Sequence, residues 1–206
     1  KEVYPLLVYF HGSGGRGDDN ISQLTDAGAI ESFLNQQLSK NYGCYILAAQ
    51  VPSNEKWVNI PWESLFHKMP KISKSMRLLF EILDDIISNK DYYIDNNRIY
   101  AMGISMGGYG VWDAIQRRNN FFAAAVPICG GGDSSMCSEI SSIPIWSWHG
   151  SNDQDISVQR SRDMHNGILN AGGNAKYTEV KKGEHDVWID AWEEKSVWDW
   201  LFTKCL

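Results

Sequence analysis

Long apolar runs are missing from this sequence. Its apolar stretches have the length of a β-strand, well short of the roughly 20 residues that cross a bilayer, so no transmembrane helix is predicted. Internal repeats and low-complexity segments are missing too. With 206 residues, 43% hydrophobic and 21% charged, the chain has the size and composition of one globular domain with its own core. This excludes a disordered tail and a fibrous protein.

An excess of positive charge is also missing. Lysine and arginine number 19 against 25 aspartate and glutamate residues, which gives a formal net charge of −6. The small basic clusters Arg117-Arg118 and Lys181-Lys182 do not form a stripe. Because proteins that neutralise phosphates need clustered basic side chains, we expect neither nucleic acid nor a membrane surface as a partner.

Metal-binding patterns of cysteine and histidine are missing as well. The four cysteines are Cys44, Cys129, Cys137 and Cys205. They form no C-x-x-C pair, and no His/Asp cluster has ligand spacing, so no metal is predicted. Cys129 and Cys137 flank a glycine-rich loop, and their spacing is compatible with a local disulfide or with two free buried thiols.

The sequence does contain an alternation of short strand-like runs with longer helical ones. The predicted strands are 3–10, 44–49, 98–102, 123–128, 143–149 and 175–180, and the predicted helices are 21–39, 72–88, 108–119, 158–171 and 187–202. This order predicts an α/β fold in which a mostly parallel sheet is covered by helices on both faces. Ligands of such sheets bind beyond the carboxyl ends of the strands, so the loops after the strands should carry the function.

The segment Gly103-Ile104-Ser105-Met106-Gly107 has the pattern G-x-S-x-G between a predicted strand and a predicted helix. Glycine at both ends lets the backbone turn sharply and expose the serine hydroxyl at the start of the helix. The helix N-terminus favours negative charge that develops beside it. The pattern therefore predicts Ser105 as a nucleophile.

A serine nucleophile needs a base, which is itself oriented by an acid. In the strand–turn–helix version of this chemistry the chain order is serine, acid, histidine. His185 lies between the last predicted strand and the last helix, where the base must arrive, whereas His149 is expected to serve packing. The candidate acids are Asp153, Asp155 and, less favoured, Asp133; spacing alone does not separate the first two.

The remaining candidates line the predicted site. Backbone N–H groups that stabilise an oxyanion should come from Met106, next to the serine, and from Ser13 in the glycine-rich loop after the first strand, with Gly14 as the alternative. The candidate substrate-binding residues are Trp57, Trp62, Trp188 and Gly14. The two tryptophans at 57 and 62 could equally fill the core.

Five stretches of the chain carry a family resemblance: 4–20, 97–113, 123–133, 144–153 and 183–188. In them the chain resembles α/β-hydrolase serine esterases. More narrowly, it resembles the group of predicted peptidase/esterases, polyhydroxybutyrate-depolymerase-like enzymes and feruloyl or acetylxylan esterases of carbohydrate esterase family 1. The family places the acid at the aspartate of H-G-x-x-D, which is Asp153 here. The sheet of that family starts with two further strands, which we expect to have been lost upstream of this chain.

The resemblance implies a serine carboxylesterase that acts through an acyl-enzyme, without a cofactor, on hydroxycinnamoyl or acetyl esters of plant polysaccharides. A serine peptidase of the same fold and a non-catalytic binding protein on a hydrolase scaffold are the alternatives. We expect a monomer or a weak homo-oligomer whose partner is a small or polysaccharide-linked ester. The first residue (Lys1), the cysteines and the resemblance favour a secreted protein over a cytoplasmic one.

Overall fold

The computed structural model of the chain describes residues 2–35 and 42–206. In these residues six strands form one parallel sheet: β1 (Tyr4–Phe10), β2 (Tyr45–Leu47), β3 (Ile94–Ile104), β4 (Ala124–Ile128), β5 (Trp146–Gly150) and β6 (Lys176–Val180). Their spatial order is β2-β1-β3-β4-β5-β6. The predicted parallel α/β sheet is confirmed.

Helices cover the sheet on both faces. The α-helices of the described ranges are α1 (Ser22–Thr25), α2 (Ala29–Leu34), α3 (Lys74–Ser88), α4 (Met106–Arg117), α5 (Gln159–Asn170), α6 (Trp188–Glu193) and α7 (Lys195–Phe202). Side chains of successive residues in a strand point to opposite faces. Leu6, Val8 and Phe10 of β1 accordingly join one core with α3, α4 and α5, while Leu7 and Tyr9 join a second core with α2, α6 and α7.

The helix predicted over 21–39 is broken in the structure. Ala27 (φ 58°) and Gly28 (φ 66°) both have positive φ, which ends one short helical segment and starts another at Ala29. The side chain of Asp26 turns from this kink toward the loop after β1, where it accepts a hydrogen bond from the backbone N–H of Gly12 at 2.8 Å. Residues 36–39 of the prediction lie outside the described part of the chain.

The helix predicted over 187–202 is two helices. Glu194 separates them with an extended backbone (φ −75°, ψ 95°), and its carboxylate accepts a hydrogen bond from the N–H of Ser196. This N-cap stabilises the start of α7 because it satisfies one of the free N–H groups of the first turn. Across residues 2–35 and 42–206, no helix is long and apolar enough to cross a bilayer.

Candidate active site

Ser105 occupies the turn between β3 and α4. Its backbone has a positive φ (φ 52°, ψ −118°), a conformation that is rare for a residue other than glycine. The backbone N–H of Ser105 donates to the carbonyl oxygen of Ile128 at 2.9 Å, which ties the turn to the end of β4. Since α4 begins at the next residue, the hydroxyl lies at the positive end of a helix. This is the strand–turn–helix geometry that the G-x-S-x-G pattern predicts.

The two outer glycines of the pattern are required by close packing. A Cβ atom at Gly107 would lie 1.9 Å from the carbonyl oxygen of Phe10, and one at Gly103 would lie 2.6 Å from the same oxygen. Neither distance leaves room for a side chain. The end of β1 therefore packs directly on the turn that carries Ser105.

His185 lies in the loop between β6 and α6 and faces Ser105. Its Nε2 atom is 2.8 Å from the Oγ of Ser105, and its Nδ1 atom is 2.7 Å from Oδ2 of Asp153. A carboxylate only accepts, so Nδ1 carries the proton of the neutral ring and Nε2 is free to accept from the hydroxyl. The structure thus brings together the three residues predicted as nucleophile, base and acid.

Asp153 follows β5 and has a fully buried side chain. Its Oδ1 accepts hydrogen bonds from the backbone N–H groups of Asp155 and Ile156, both at 2.9 Å, while Oδ2 faces His185. Burial by itself raises the pKa of this carboxyl, but the hydrogen bonds from His149, His185 and the backbone outweigh it, so the pKa is lowered. Asp153 is therefore ionised and held in one orientation.

The two other candidate acids lie elsewhere. Asp155 is exposed, and it contributes only its backbone N–H to the site. Asp133 begins a 3-10 helix over Ser134–Ile140, where its carboxylate accepts from Ser135 and from the backbone N–H of Met69. The structure thus separates Asp153 from Asp155, which spacing could not.

His149 was expected to serve packing, and the structure gives it a polar role as well. The residue is completely buried at the end of β5. Its Nε2 atom lies 3.1 Å from Oδ2 of Asp153, the same oxygen that faces His185. The signal in the sequence was a histidine at the end of an otherwise apolar strand, just before the acid. A buried imidazole needs hydrogen-bond partners, and here one of them is the acid.

The loop after β1 lies beside the turn of Ser105. A Cβ at Gly12 would be 3.3 Å from side-chain atoms of Ile104, the residue before the serine. The N–H of Gly12 is taken by Asp26, whereas no acceptor within residues 2–35 and 42–206 receives the backbone N–H of Ser13 or Met106. These two groups remain our predicted oxyanion donors. Gly14, the alternative, is exposed.

Comparisons with known proteins identify the fold. The crystal structure of a thermostable esterase superposes with a TM-score of 0.92 and 35% identity, over 100% of this chain and 56% of that one. The chain has the α/β-hydrolase fold. The sequence profile of the prolyl oligopeptidase family matches residues 79–167, a range that contains Ser105 and Asp153.

Two further comparisons are more distant. A bifunctional acetylxylan esterase/xylanase of Neocallimastix patriciarum is 31% identical over 88 residues, which is 43% of this chain and 13% of that protein. The structure of a ferulic acid esterase superposes with a TM-score of 0.66 at 18% identity, over 98% of this chain and 84% of that one, and this likeness shows the fold alone. The chain thus spans about half of the thermostable esterase and a small part of the Neocallimastix patriciarum protein.

Of the predicted substrate-binding tryptophans, Trp57 is in the wrong place for that role. Its ring is 1% exposed, packs against Phe10 and His11, and donates from Nε1 to the carbonyl oxygen of His11 at 3.1 Å. A side chain so enclosed cannot offer its ring to a substrate. Trp57 belongs to the core and supports the loop after β1.

Trp62 and Trp188 are half-buried and remain candidates for the wall of the site. The carbonyl oxygen of Trp62 accepts from the hydroxyl of Tyr109, which is in the first turn of α4, and its ring lies under Lys56 and Arg16. Trp188 presents its ring edge-to-face to His185, with the centroids 5.3 Å apart. Both indoles are thus connected to elements that hold the proposed machinery.

All four cysteines are free, so the disulfide between Cys129 and Cys137 that the spacing allowed is not formed. The sulfur of Cys137 instead faces the carbonyl oxygen of Met164.

Cys129, Asp153 and His185 place ligand-type atoms within 4.8 Å of one another. Burial raises the pKa of the Cys129 thiol well above its ordinary value, and the acid and base already bond each other, so this trio does not suit a metal ion.

Proposed function

We propose that this α/β-hydrolase is a serine carboxylesterase. The observation that carries the proposal is the continuous pair of contacts from Ser105 through His185 to Asp153, at 2.8 Å and 2.7 Å. Oγ of Ser105 attacks the acyl carbon of the ester while Nε2 of His185 takes its proton. The imidazolium then returns that proton to the alcohol oxygen as the ester bond breaks. Water, activated by the same imidazole, releases the acid from the acyl-enzyme.

The developing oxyanion needs donors in place before the reaction. In the proposed mechanism the backbone N–H groups of Ser13 and Met106 supply them, and the positive end of α4 adds to the effect. The N–H of Gly12 is not available because Asp26 accepts it. Asp153, held by two backbone N–H groups, keeps the His185 ring in the orientation and tautomer that the proton transfer requires.

For the substrate we propose hydroxycinnamoyl or acetyl esters of plant polysaccharides. The Neocallimastix patriciarum relative is named as an acetylxylan esterase/xylanase, which supports the acetyl class. Trp62, half-buried with its ring under Lys56 and Arg16, is the indole that we propose to contact an aromatic acyl group or a sugar. The ferulic acid esterase shares only the fold, so the hydroxycinnamoyl class is proposed from the site and not from that likeness.

The activity is tested with wild-type protein and Ser105→Ala on p-nitrophenyl acetate. The wild type should hydrolyse the ester, and the variant should lose nearly all turnover while its circular dichroism spectrum is unchanged. Undiminished hydrolysis by the folded variant would refute the assignment of Ser105. A panel of methyl ferulate, acetylated xylan and short acyl esters then ranks the acyl groups.

A serine peptidase is the second candidate, because the prolyl oligopeptidase family profile matches residues 79–167. The same three side chains can cleave an amide. Blocked peptides and methyl ferulate, assayed side by side at equal enzyme concentration, decide between the two. Faster turnover of the peptides would replace the esterase proposal. A non-catalytic binding protein would show neither activity and no covalent adduct with a fluorophosphonate.

A further inference from the structure

Asp153 is shared by two histidines. Oδ2 of its carboxylate lies 2.7 Å from Nδ1 of His185 and 3.1 Å from Nε2 of His149. Both the His149 and the Asp153 side chains are completely shielded from solvent. The proposed mechanism uses His185 alone and leaves the second imidazole without a role.

The hydrogen-bond partners of His149 determine where its proton lies. Nε2 faces two acceptors, the Asp153 carboxylate and the carbonyl oxygen of Ile156 at 3.0 Å. Neither can donate, so Nε2 must carry a hydrogen. On the other side of the ring, Nδ1 lies 2.7 Å from Oγ of Ser161. The Ser161 hydroxyl has one proton and two possible acceptors, Nδ1 of His149 and the carbonyl oxygen of Gly130 at 3.1 Å. We assign the proton to Nδ1, which is the nearer of the two.

From this arrangement we propose that His149 is a positioning residue for the proposed acid. Its Nε2–H donates to the carboxylate oxygen that orients His185, and Ser161 fixes the tautomer that makes this donation possible. The inference rests on the proposed roles of Ser105, His185 and Asp153.

The consequence concerns the basicity of His185. A donor that bonds the carboxylate stabilises its negative charge and weakens the attraction between that charge and a protonated His185. Without His149, Oδ2 would interact with His185 alone, and the imidazolium would be stabilised more strongly. Loss of His149 should therefore strengthen the interaction of the Asp153 carboxylate with a protonated His185, and this change is what the experiment measures.

Other ionisable groups face this cluster and enter the interpretation of any titration. Cys129 lies on the loop after β4 beside Asp153 and His185. The negative charge of Asp186 contributes to the raised pKa of its thiol. Glu179 is the register partner of His149 on β6 and is bound by Arg162. Tyr109 of α4 also lies near the cluster, and the charges of Arg160 on α5 and of Asp153 both affect the pKa of its phenol. The test leaves all of these groups unchanged.

The proposal is tested by following the pH titration of the His185 ring by NMR in the resting protein, with its signals assigned by their loss in His185→Gln. In His149→Phe the midpoint should rise by about 0.5–1 pH unit relative to wild type, the scale expected for the loss of one hydrogen bond of ordinary net strength. His149→Gln keeps an N–H donor and should restore part of the difference. The control is His165→Phe, which removes a half-buried histidine of α5 that does not contact the acid.

An unchanged midpoint in folded His149→Phe overturns the proposal. If that variant does not fold, Ser161→Ala decides, because it keeps the ring and removes the partner of Nδ1. Its midpoint should move in the same direction by less, and no movement would refute the role. Because the titration needs no ester, a wild-type protein that hydrolyses no ester would contradict the proposed function and leave this measurement intact.

Discussion

The carbonyl oxygen of Phe10 occupies the space that a side chain on Gly107 would need, since a Cβ there would lie 1.9 Å away. Phe10 is the last residue of β1, and Gly107 is in the first turn of α4. This contact joins the loop that offers Ser13 to the turn that carries Ser105. Backbone packing thus helps to hold the proposed nucleophile and the proposed oxyanion donors in one unit.

Gly107→Ala should therefore destabilise the protein strongly. The methyl group meets backbone atoms of Phe10 and His11, which cannot move without displacing the end of β1. We expect a loss of about 3 kcal/mol or more in the free energy of unfolding, measured by urea denaturation. Gly43→Ala is the matched control, because its Cβ would make ordinary contacts at 3.4 Å with the ring of Tyr4. Equal stability of the two variants would contradict this packing argument.

Asp153→Asn should leave the fold intact and remove most of the activity. The amide can donate to Nδ1 of His185, which favours the tautomer whose Nε2 carries the proton and cannot accept from Ser105. We expect kcat for p-nitrophenyl acetate to fall by about 10⁴-fold. Asp155→Asn, two residues away and exposed, should change kcat less than tenfold. A comparable loss in both variants would mean that the acid has been misassigned.

The stability of the protein should fall in mild acid partly because of His67. Burial and the nearby Arg160 guanidinium together lower the pKa of His67 to about 4, although Asp133 opposes the shift. The unfolded chain, with a pKa of about 6.5, binds the proton first. The stability contributed by neutral His67 is thus complete above about pH 6.5 and is lost as the pH falls toward 4.

The test is His67→Gln. Its free energy of unfolding, measured between pH 7 and pH 4, should depend less steeply on pH than that of the wild type. Gln keeps an oxygen that can accept from Arg160, so the fold should persist. Identical slopes for the two proteins would show that His67 is not held neutral in the folded state.

Trp57 and Trp62, five residues apart, should respond differently to alanine. Trp57→Ala opens a cavity in the core and should cost about 3–5 kcal/mol of stability. Trp62→Ala should be far less destabilising, and it should raise KM for methyl ferulate more than KM for p-nitrophenyl acetate. Chemical denaturation and steady-state kinetics on the two variants check this contrast. A rise in KM of the same factor for both esters would remove Trp62 from the acyl pocket.

Much of the site could be predicted because the topology places it. Once strands and helices alternate, the loops after parallel strands share one edge of the sheet, so Ser105 and His185 were expected to meet there. Asp153 and Asp155 share a single loop, so topology does not separate them, and the preference for Asp153 came from the H-G-x-x-D pattern of the family that the chain resembles. The N–H groups of residues 155 and 156 turn toward the carboxylate of Asp153, which no spacing rule reveals.

The features that could not be predicted depend on contacts between distant parts of the chain. Burial of Trp57 depends on the loop after β1, which its indole supports through His11. The proposed role of His149 depends on the contact between its ring, at the end of β5, and the Asp153 carboxylate in the loop that follows. The kink at Ala27 and Gly28 directs Asp26 to Gly12, and local helix propensity carries no information about that pairing.

The most direct test of the central claim is covalent labelling. The wild-type protein is incubated with a fluorophosphonate at neutral pH, digested and mapped by mass spectrometry. We expect one phosphonylated residue, Ser105, and labelling that is slowed at least a hundredfold in His185→Ala. A wild-type protein that forms no adduct, or whose adduct at Ser105 forms equally fast without His185, would contradict the claim that this imidazole activates this hydroxyl.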